Sequence, residues 1–243
     1  MEAKGDLMLG ERVLGRDPIA EVNNHGGGRV YGSVNPTVFD RTPISATSIL
    51  DIGCGDGMLG RALKARAPCR VTGVTSSGDE FCRAEAVLDA VVRTDLDTGD
   101  LTALGRFDAV ICSHVLEHLR DPGRLLNRLQ ANLAENGLLI VALPNPLYWR
   151  QRLAFAKGKF RYTQGGIMDD THLRFFDWVT ARELVQNAGY RIVEALADGG
   201  LPGSRFLSPA LGRVLDRLAI ATRPGLFGVQ FVITARHAMS ASP

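Results

Sequence analysis

The stretch from Ile49 to Gly60 constrains the fold of this chain more than any other. Its sequence, Ile-Leu-Asp-Ile-Gly-Cys-Gly-Asp-Gly-Met-Leu-Gly, joins a short apolar segment to closely spaced glycines. The apolar segment predicts a buried strand, the glycines predict a sharp turn, and the residues from Arg61 to Lys64 favour a helix. In that order these elements form a cradle for a ligand, because glycine backbone allows close approach and the first N–H groups of a helix are unpaired.

The residues around the turn indicate which ligand the cradle suits. Gly55 to Gly60 formally matches G-x-G-x-x-G, the pattern of NAD and FAD sites. However, Asp51 and Asp56 would repel a pyrophosphate, and Thr75 stands about 20 residues on, where that pattern needs an acid. Two carboxylates favour a ligand with positive charge and N–H donors. S-adenosylmethionine (SAM) carries both, so the local chemistry favours SAM over a dinucleotide.

Strands and helices alternate after the turn. Further strands are predicted at Arg70–Val74, Val91–Thr94, Phe107–Cys112, Leu138–Leu143, Tyr190–Leu196 and Phe227–Ala235. Helices are predicted at 57–66, 78–89, 121–134, 177–188 and 208–221, the last with an apolar stripe of Leu211, Val214, Leu215 and Leu218 that is expected to pack on the sheet. This alternation predicts an α/β fold, Rossmann-like, with a mostly parallel seven-stranded sheet and helices on both faces.

Polar residues follow several of the predicted strands. They are Asp51 to Asp56, Thr75 to Ser77, Asp95, and Ser113 to His118. Ligands of such sheets bind beyond the carboxyl ends of the strands, where the strand order reverses. The polar residues are therefore expected to share one site.

Asp51 to Gly57 resembles motif I of the class I SAM-dependent methyltransferases, E/D-x-G-x-G-x-G. Phe107-Asp108 with Leu116-Glu117-His118-Leu119, and Gly137 to Asn145, are similar to two further motifs of that family. Thr171-His172-Leu173-Arg174-Phe175-Phe176 with Ala188-Gly189-Tyr190 resembles a MetW-like subgroup associated with sugars and cell envelopes. The resemblance covers residues 47 to 236 and implies SAM as the cofactor.

The resemblance also implies roles for single residues. The motif I residues Asp51, Gly53, Cys54, Gly55 and Gly57 would line the methionine half of SAM. Asp95 and the backbone of Leu96 would bind the adenine, while Ser113 and His114 would flank the methyl region. Thr75 and Ser76 occupy the place of the acid that usually accepts both ribose hydroxyls. A hydroxyl cannot replace that charge-assisted pair, so either Asp79 or Glu80 reaches the ribose or SAM binds weakly.

Methyl transfer to a hydroxyl benefits from a general base. His118 and His172 are the candidates, with Glu117 as a partner or second choice, since histidine titrates near neutrality. Packing or helix capping would equally explain His118.

Two segments are candidates for covering the site. Residues 1–45 would form a flexible lid in which His25 or Tyr31 contacts the ligand, although a mobile tail is an equal alternative. An insertion at 146–172 breaks the alternation and is rich in basic and aromatic residues. The substrate-binding candidates are Tyr31, Trp149, Arg152, Tyr162 and Arg174. Residues 46–237 would form the catalytic domain, and 238–243 a disordered tail.

Composition narrows the function classes. The net charge of +2 gives no case for nucleic acid, and no apolar run is long enough to span a membrane. The four cysteines lack zinc spacing, no metal ligands are assigned, and no signal peptide is evident, so a cytoplasmic location is expected. The sequence leaves the oligomeric state open, with a homodimer as one option.

The sequence therefore favours a SAM-dependent methyltransferase acting on an oxygen or nitrogen of a small molecule, such as a natural product or sugar. A non-catalytic MetW-like accessory protein and an NAD oxidoreductase are the alternatives, and Asp51 and Thr75 disfavour the latter.

Overall fold

A computed structural model describes residues 22–25, 28–31 and 33–238 of the chain. Its nine strands are β1 Val22–His25, β2 Gly28–Tyr31, β3 Ser48–Ile52, β4 Arg70–Thr75, β5 Ala90–Arg93, β6 Phe107–Ser113, β7 Leu133–Pro144, β8 Tyr190–Gly199 and β9 Gly228–His237. Its α-helices are α1 Pro36–Arg41, α2 Met58–Arg66, α3 Gly78–Glu85, α4 Pro122–Leu129, α5 Trp149–Ala156, α6 Trp178–Asn187, α7 Pro209–Thr222 and α8 Pro224–Phe227.

The main sheet has seven strands in the order β5-β4-β3-β6-β7-β9-β8. The pairs from β5 to β7 are parallel, and β9 runs antiparallel to both of its neighbours. This confirms the predicted Rossmann-like class. The chain winds outward from β3 in one direction and from β6 in the other, so the order reverses between these two strands. That reversal opens a crevice at their carboxyl ends.

Both faces of the sheet are covered by helices. On one face, Leu125, Leu126 and Leu129 of α4 and Val185 of α6 join a large apolar core. A second core on the other face includes Val38 of α1, together with side chains of α2 and α3. None of the described helices is long and apolar enough to cross a membrane.

The prediction of one helix over 121–134 is wrong at its end. α4 stops at Leu129, a short 3₁₀ turn spans Gln130–Asn132, and Leu133 already pairs with Phe107 in the sheet. The buried side chain of Asn132 explains the change, because its amide donates to the carbonyls of Leu101 and Gly105. These bonds hold the chain in the turn and prevent the helix from continuing.

The predicted packing face of α7 is also wrong. Leu211, Val214 and Leu218 are 49%, 52% and 58% exposed, whereas Gly212, Asp216 and Ala219 are the buried positions. Gly212 lies so close to Ser204 that a Cβ there would be 2.9 Å from the Ser204 carbonyl oxygen. The buried Asp216 carboxylate accepts from the Leu201 N–H. Close backbone contact and this hydrogen bond therefore set the orientation of α7.

The N-terminal region contains structure that the sequence analysis missed. β1 and β2 pair as an antiparallel hairpin, where flexibility was expected for residues 23–28. His25 and Tyr31 lie in its strands, but their side chains, like residues 1–21, fall outside the described structure. α1 follows with Asn35 as its N-cap, whose side chain accepts from the N–H groups of Thr37 and Val38. The predicted tail beyond Ala238 also falls outside the described residues.

Candidate functional site

The glycine bend connects β3 to α2 in backbone conformations that favour glycine. Gly53 and Gly57 have φ of +71° and +82°. A Cβ on Gly53 would lie 2.7 Å from a methyl group of Val115, so no larger residue fits there. Gly57 is the N-cap of α2 and has no side chain to accept from its first N–H groups. The bend therefore brings backbone donors to the crevice.

A cavity of about 900 Å³ occupies the crevice. This volume lies within the range of sites that enclose a drug-sized ligand. Ten of the eleven residues predicted to bind the cofactor line it: Asp51, Gly53, Cys54, Gly55, Thr75, Ser76, Asp95, Leu96, Ser113 and His114. The eleventh, Gly57, shapes the bend behind the lining. The structure thus brings the predicted strand ends into one place.

The cavity is acidic. Among the described lining residues, Asp51, Asp56, Glu80, Asp95 and Asp97 face a single arginine and no lysine. Burial raises the pKa of Asp51 to about 7 and also raises the pKa of Asp56. A cationic ligand would relieve this cost by favouring the ionised carboxylates. The carboxylates of the lining therefore fit a ligand that carries an ammonium and a sulfonium.

A carboxylate lies beside Thr75, at the position where the family usually has an acid and this chain has a threonine. Thr75 Oγ1 donates to Glu80 Oε2 at 2.5 Å, and both residues line the cavity. Ser77 caps α3 by accepting from the Glu80 N–H, which places Glu80 in the first turn of the helix. Of the two acids considered for the ribose, Glu80 is the one that lines the cavity.

A buried polar network joins the N-terminal segment to the cavity, and the sequence analysis missed it. Asn35 Nδ2 donates to Gln230 Oε1 at 2.7 Å, and His114 Nε2 lies 2.9 Å from the same oxygen. Asn35 and His114 both line the cavity. His114 has φ of +53°, the only positive value at a residue other than glycine among those described. Such strained backbone is frequent at functional sites.

Three candidate catalytic residues meet at one wall of the cavity. The N–H groups of Leu173 and Arg174 both donate to the Glu117 carbonyl, which brings two distant motifs together. The rings of His118 and His172 contact edge to face, with centroids 4.7 Å apart. His118 lines the cavity, while Glu117 and His172 are buried behind it.

Glu117 and His172, the two buried residues of this group, have pKa values that their surroundings shift. Burial would raise the pKa of Glu117, but His114, His118 and His172 outweigh it and hold the pKa below its usual range. Burial lowers the pKa of His172 despite the nearby Glu117. These shifts favour the ionised form of Glu117 and the uncharged form of His172.

A hydrogen-bond relay orients His118, through two residues that the sequence analysis missed. Thr171 Oγ1 donates to Asp169 Oδ1 at 2.6 Å and lies 3.0 Å from His118 Nδ1. Since the threonine has only one hydroxyl proton, His118 Nδ1 must be the donor in that second contact. The neutral ring then has its lone pair on Nε2. In the sequence, Thr171 begins the motif that contains His172, and Asp169 lies just before it. That motif was the signal that could have identified both residues.

Four of the five predicted substrate residues do not line the cavity, and the side chain of the fifth, Tyr31, falls outside the described structure. Arg152 donates to the carbonyls of Leu147 and Gly225, and Arg174 donates to the carbonyl of Arg120. Trp149 contacts Tyr148 and Arg150, and Tyr162 is 55% exposed beside Phe160. Thr171 is the one residue of the 146–172 insertion in the lining. An acceptor role for the four side chains therefore stays a prediction.

Comparisons with known proteins agree with this geometry. A family model described as a methyltransferase domain matches residues 23–195. The Ubiquinone biosynthesis O-methyltransferase of Caulobacter sp. (strain K31) is 34% identical over 145 residues, or 57% of this chain and 54% of the relative. The enzyme of the same name from Azorhizobium caulinodans is 32% identical over 152 residues, or 60% and 58%. The chain thus spans little more than half of these relatives.

A solved structure shows the same fold at low sequence identity. The SAM-dependent methyltransferase from Archaeoglobus fulgidus has a TM-score of 0.57 and 21% identity, covering 79% of this chain and 86% of its own. These comparisons do not distinguish the MetW-like subgroup, which stays a prediction. The family match and the acidic crevice together show that the chain belongs to the class I SAM-dependent methyltransferases, with SAM as its cofactor.

Proposed function

We propose that this chain transfers the methyl group of SAM to an oxygen or nitrogen of a small molecule, with a hydroxyl oxygen as the favoured acceptor. The observation that carries the proposal is the oriented imidazole of His118 on the wall of the acidic cavity. The O-methyltransferase names of the relatives support an oxygen acceptor. The natural-product or sugar character of the acceptor belongs to the same proposal.

The lining residues divide into binding roles. Asp51 and the glycine bend would hold the ammonium end of SAM, and Glu80, oriented by Thr75, would accept from the ribose hydroxyls. Asp95 would accept from the adenine amine, since a carboxylate matches its N–H donors. Asp95 already accepts from the Asp97 N–H through Oδ1, which fixes the orientation of its carboxylate. When bound, SAM supplies an electrophilic methyl group on a positively charged sulfur.

The chain contributes alignment and proton removal. Holding the acceptor behind the methyl group can lower the barrier by up to about 7–11 kcal/mol. His118 Nε2 would accept the proton of the acceptor hydroxyl as that oxygen takes the methyl group, with S-adenosylhomocysteine as the leaving product. The relay through Thr171 to Asp169 places the lone pair of the neutral ring on Nε2, which suits it to take up that proton. General-base action of this kind contributes about 10²- to 10⁴-fold.

Two segments would complete the site. Ser33 and Asn35 line the cavity, which supports a lid role for the N-terminal segment. The 146–172 insertion follows β7 at the carboxyl edge of the sheet and supplies Thr171. We assign acceptor selection to this insertion.

The test is methyl transfer from radiolabelled SAM to a panel of small hydroxyl and amine compounds. We expect His118→Gln to lower kcat by about 10²- to 10⁴-fold while the S-adenosylhomocysteine Kd stays unchanged. His237→Gln, a histidine on β9 outside the cavity lining, is the matched control. Wild-type rates in His118→Gln would refute the base assignment. Cofactor binding without turnover on any acceptor would instead favour the accessory-protein alternative.

A further inference from the structure

The carboxylate of Glu117 is the least satisfied buried charge in the described structure. Its side chain is 1% exposed, and neither oxygen accepts a hydrogen bond from any described residue. His114 Nδ1 lies 3.4 Å and His172 Nε2 lies 3.9 Å from Oε1. An ionised carboxylate buried without hydrogen bonds is costly unless a cation compensates it. A positive charge nearby would therefore stabilise the buried carboxylate of Glu117.

The hydrogen bonds of His172 direct a lone pair toward this carboxylate. Its Nδ1 lies 3.2 Å from the carbonyl oxygen of Ile167, which can only accept. Nδ1 must therefore carry the proton, and the neutral ring has its lone pair on Nε2. Nε2 and Glu117 Oε1 are then two acceptors that face each other across 3.9 Å. Such a pair is repulsive unless a cation or a hydrogen-bond donor such as water lies between them.

His118 supplies a third side chain whose lone pair could bind a cation. Its Nδ1 proton is committed to Thr171, so Nε2 is again the nitrogen with the lone pair. One ligand atom each from Glu117, His118 and His172 lies within 4.8 Å of the others. Atoms bound to one Zn²⁺ at 2.0–2.2 Å must approach more closely than this, so the side chains would draw together on binding.

We propose that Glu117, His118 and His172 bind one divalent transition-metal ion, such as Zn²⁺, in the wall of the cavity. Two imidazoles and one carboxylate form a ligand set that this class of ion prefers. The backbone carbonyl of Ile167 and the hydroxyl of Thr171 fix the two rings, as outer partners commonly do at metal sites. Glu117 and His172 close the site on its buried side, and His118 connects it to the cavity.

The ion would define the acceptor class, and this part rests on the proposed function. Three protein ligands leave an open position, which would face the cavity on the His118 side. A hydroxyl of the acceptor bound there would lose its proton more readily, because the ion acts as a Lewis acid. With the ion bound, His118 would be a ligand and the ion would promote loss of the acceptor proton; in the metal-free protein, His118 keeps the base role proposed above. The acceptor is accordingly a hydroxyl compound rather than an amine.

Titration with Co²⁺ alone tests the site without an activity measurement. The full chain, freed of metal with a chelator, is expected to bind one equivalent of Co²⁺ with visible absorption typical of nitrogen ligands, and Zn²⁺ should displace it. Glu117→Gln and His172→Gln are each expected to weaken Co²⁺ binding at least tenfold. His237→Gln should bind Co²⁺ as the wild type does. S-adenosylhomocysteine binding by each variant shows that its cavity is intact.

Wild-type protein that shows no stoichiometric Co²⁺ absorption would overturn the proposal. Equal Co²⁺ affinity in Glu117→Gln, His172→Gln and the wild type would also overturn it, since the ion would then lie elsewhere. In either case, retained S-adenosylhomocysteine binding and methyl transfer would leave the proposed function standing. Co²⁺ binding in a chain that cannot bind S-adenosylhomocysteine would support the metal site and contradict the proposed function.

Discussion

At the scale of single residues, Glu80 shows how the site can supply a carboxylate from an unusual position. The end of β4 carries Thr75, whose hydroxyl donates to Glu80 from the next helix. The carboxylate thus reaches the cavity from α3, five residues further along the chain. Thr75 then orients this acid.

The first prediction concerns this pair. Glu80→Gln is expected to weaken S-adenosylhomocysteine binding about 10- to 100-fold, since hydrogen bonds to a charged group contribute about 1.5–3 kcal/mol. Thr75→Val should have a smaller effect, because it removes only the orienting hydroxyl. Glu85→Gln, an exposed position on the same helix, is the control. Calorimetry measures all three, and an unchanged affinity in Glu80→Gln would exclude it from the ribose site.

The second prediction follows from the pKa of Asp51, which burial raises to about 7. An ammonium near Asp51 favours the carboxylate, so below this pH binding must release the proton of Asp51. Affinity for S-adenosylhomocysteine should be constant above about pH 8 and fall by up to about tenfold for each pH unit below about 7. Titrations from pH 5 to 9 test this. Asp51→Asn should bind S-adenosylhomocysteine weakly at every pH. A wild-type affinity that does not change with pH would argue against contact between the ligand and Asp51.

At the scale of secondary-structure elements, α7 presents apolar side chains to the outside. Its small residues and Asp216 pack on the segment around Leu201 and Ser204, because Gly212 allows close approach to Ser204. Amphipathic spacing alone predicts the reverse orientation. α4 behaves as its pattern predicts, with Leu125, Leu126 and Leu129 fully buried.

The third prediction compares one substitution on α7 with one on α4. Leu218→Ala on α7 should change the free energy of unfolding by less than about 0.5 kcal/mol, since the side chain is 58% exposed. Leu126→Ala on α4 should cost about 2–5 kcal/mol, because it leaves a cavity in the core. Urea denaturation measures both. A large loss in Leu218→Ala would show that α7 buries its apolar stripe after all.

At the scale of the whole molecule, the sequence predicts what local patterns determine. The glycine bend, the alternation of strands and helices, and the gathering of strand ends all follow from short-range chemistry and the geometry of parallel sheets. Ten of the eleven residues predicted to bind the cofactor line one cavity for that reason, and their contact with the cofactor stays a prediction. Asn35 was missed because its partner Gln230 lies 195 residues away.

Contacts between residues far apart in the chain also explain the other differences between the sequence predictions and the structure. Asn132 ends α4 through carbonyl groups about 30 residues earlier, and no periodicity reports such a contact. Asp169 and Thr171 act on His118 from a segment that follows β7. Arg152 in the insertion and Arg174 just after it were predicted to bind the substrate, yet both donate to backbone carbonyls of the protein itself. Long-range polar contacts were thus the part that the sequence could not show.

The central claim is that the acidic crevice over the glycine bend holds SAM. Calorimetric titration of the full chain at pH 8 with S-adenosylhomocysteine, in the presence and absence of excess NAD⁺, tests it most directly. We expect one bound S-adenosylhomocysteine for each chain, an affinity unaffected by NAD⁺, and loss of binding in Asp51→Asn. The absence of binding, or displacement by NAD⁺, would contradict it.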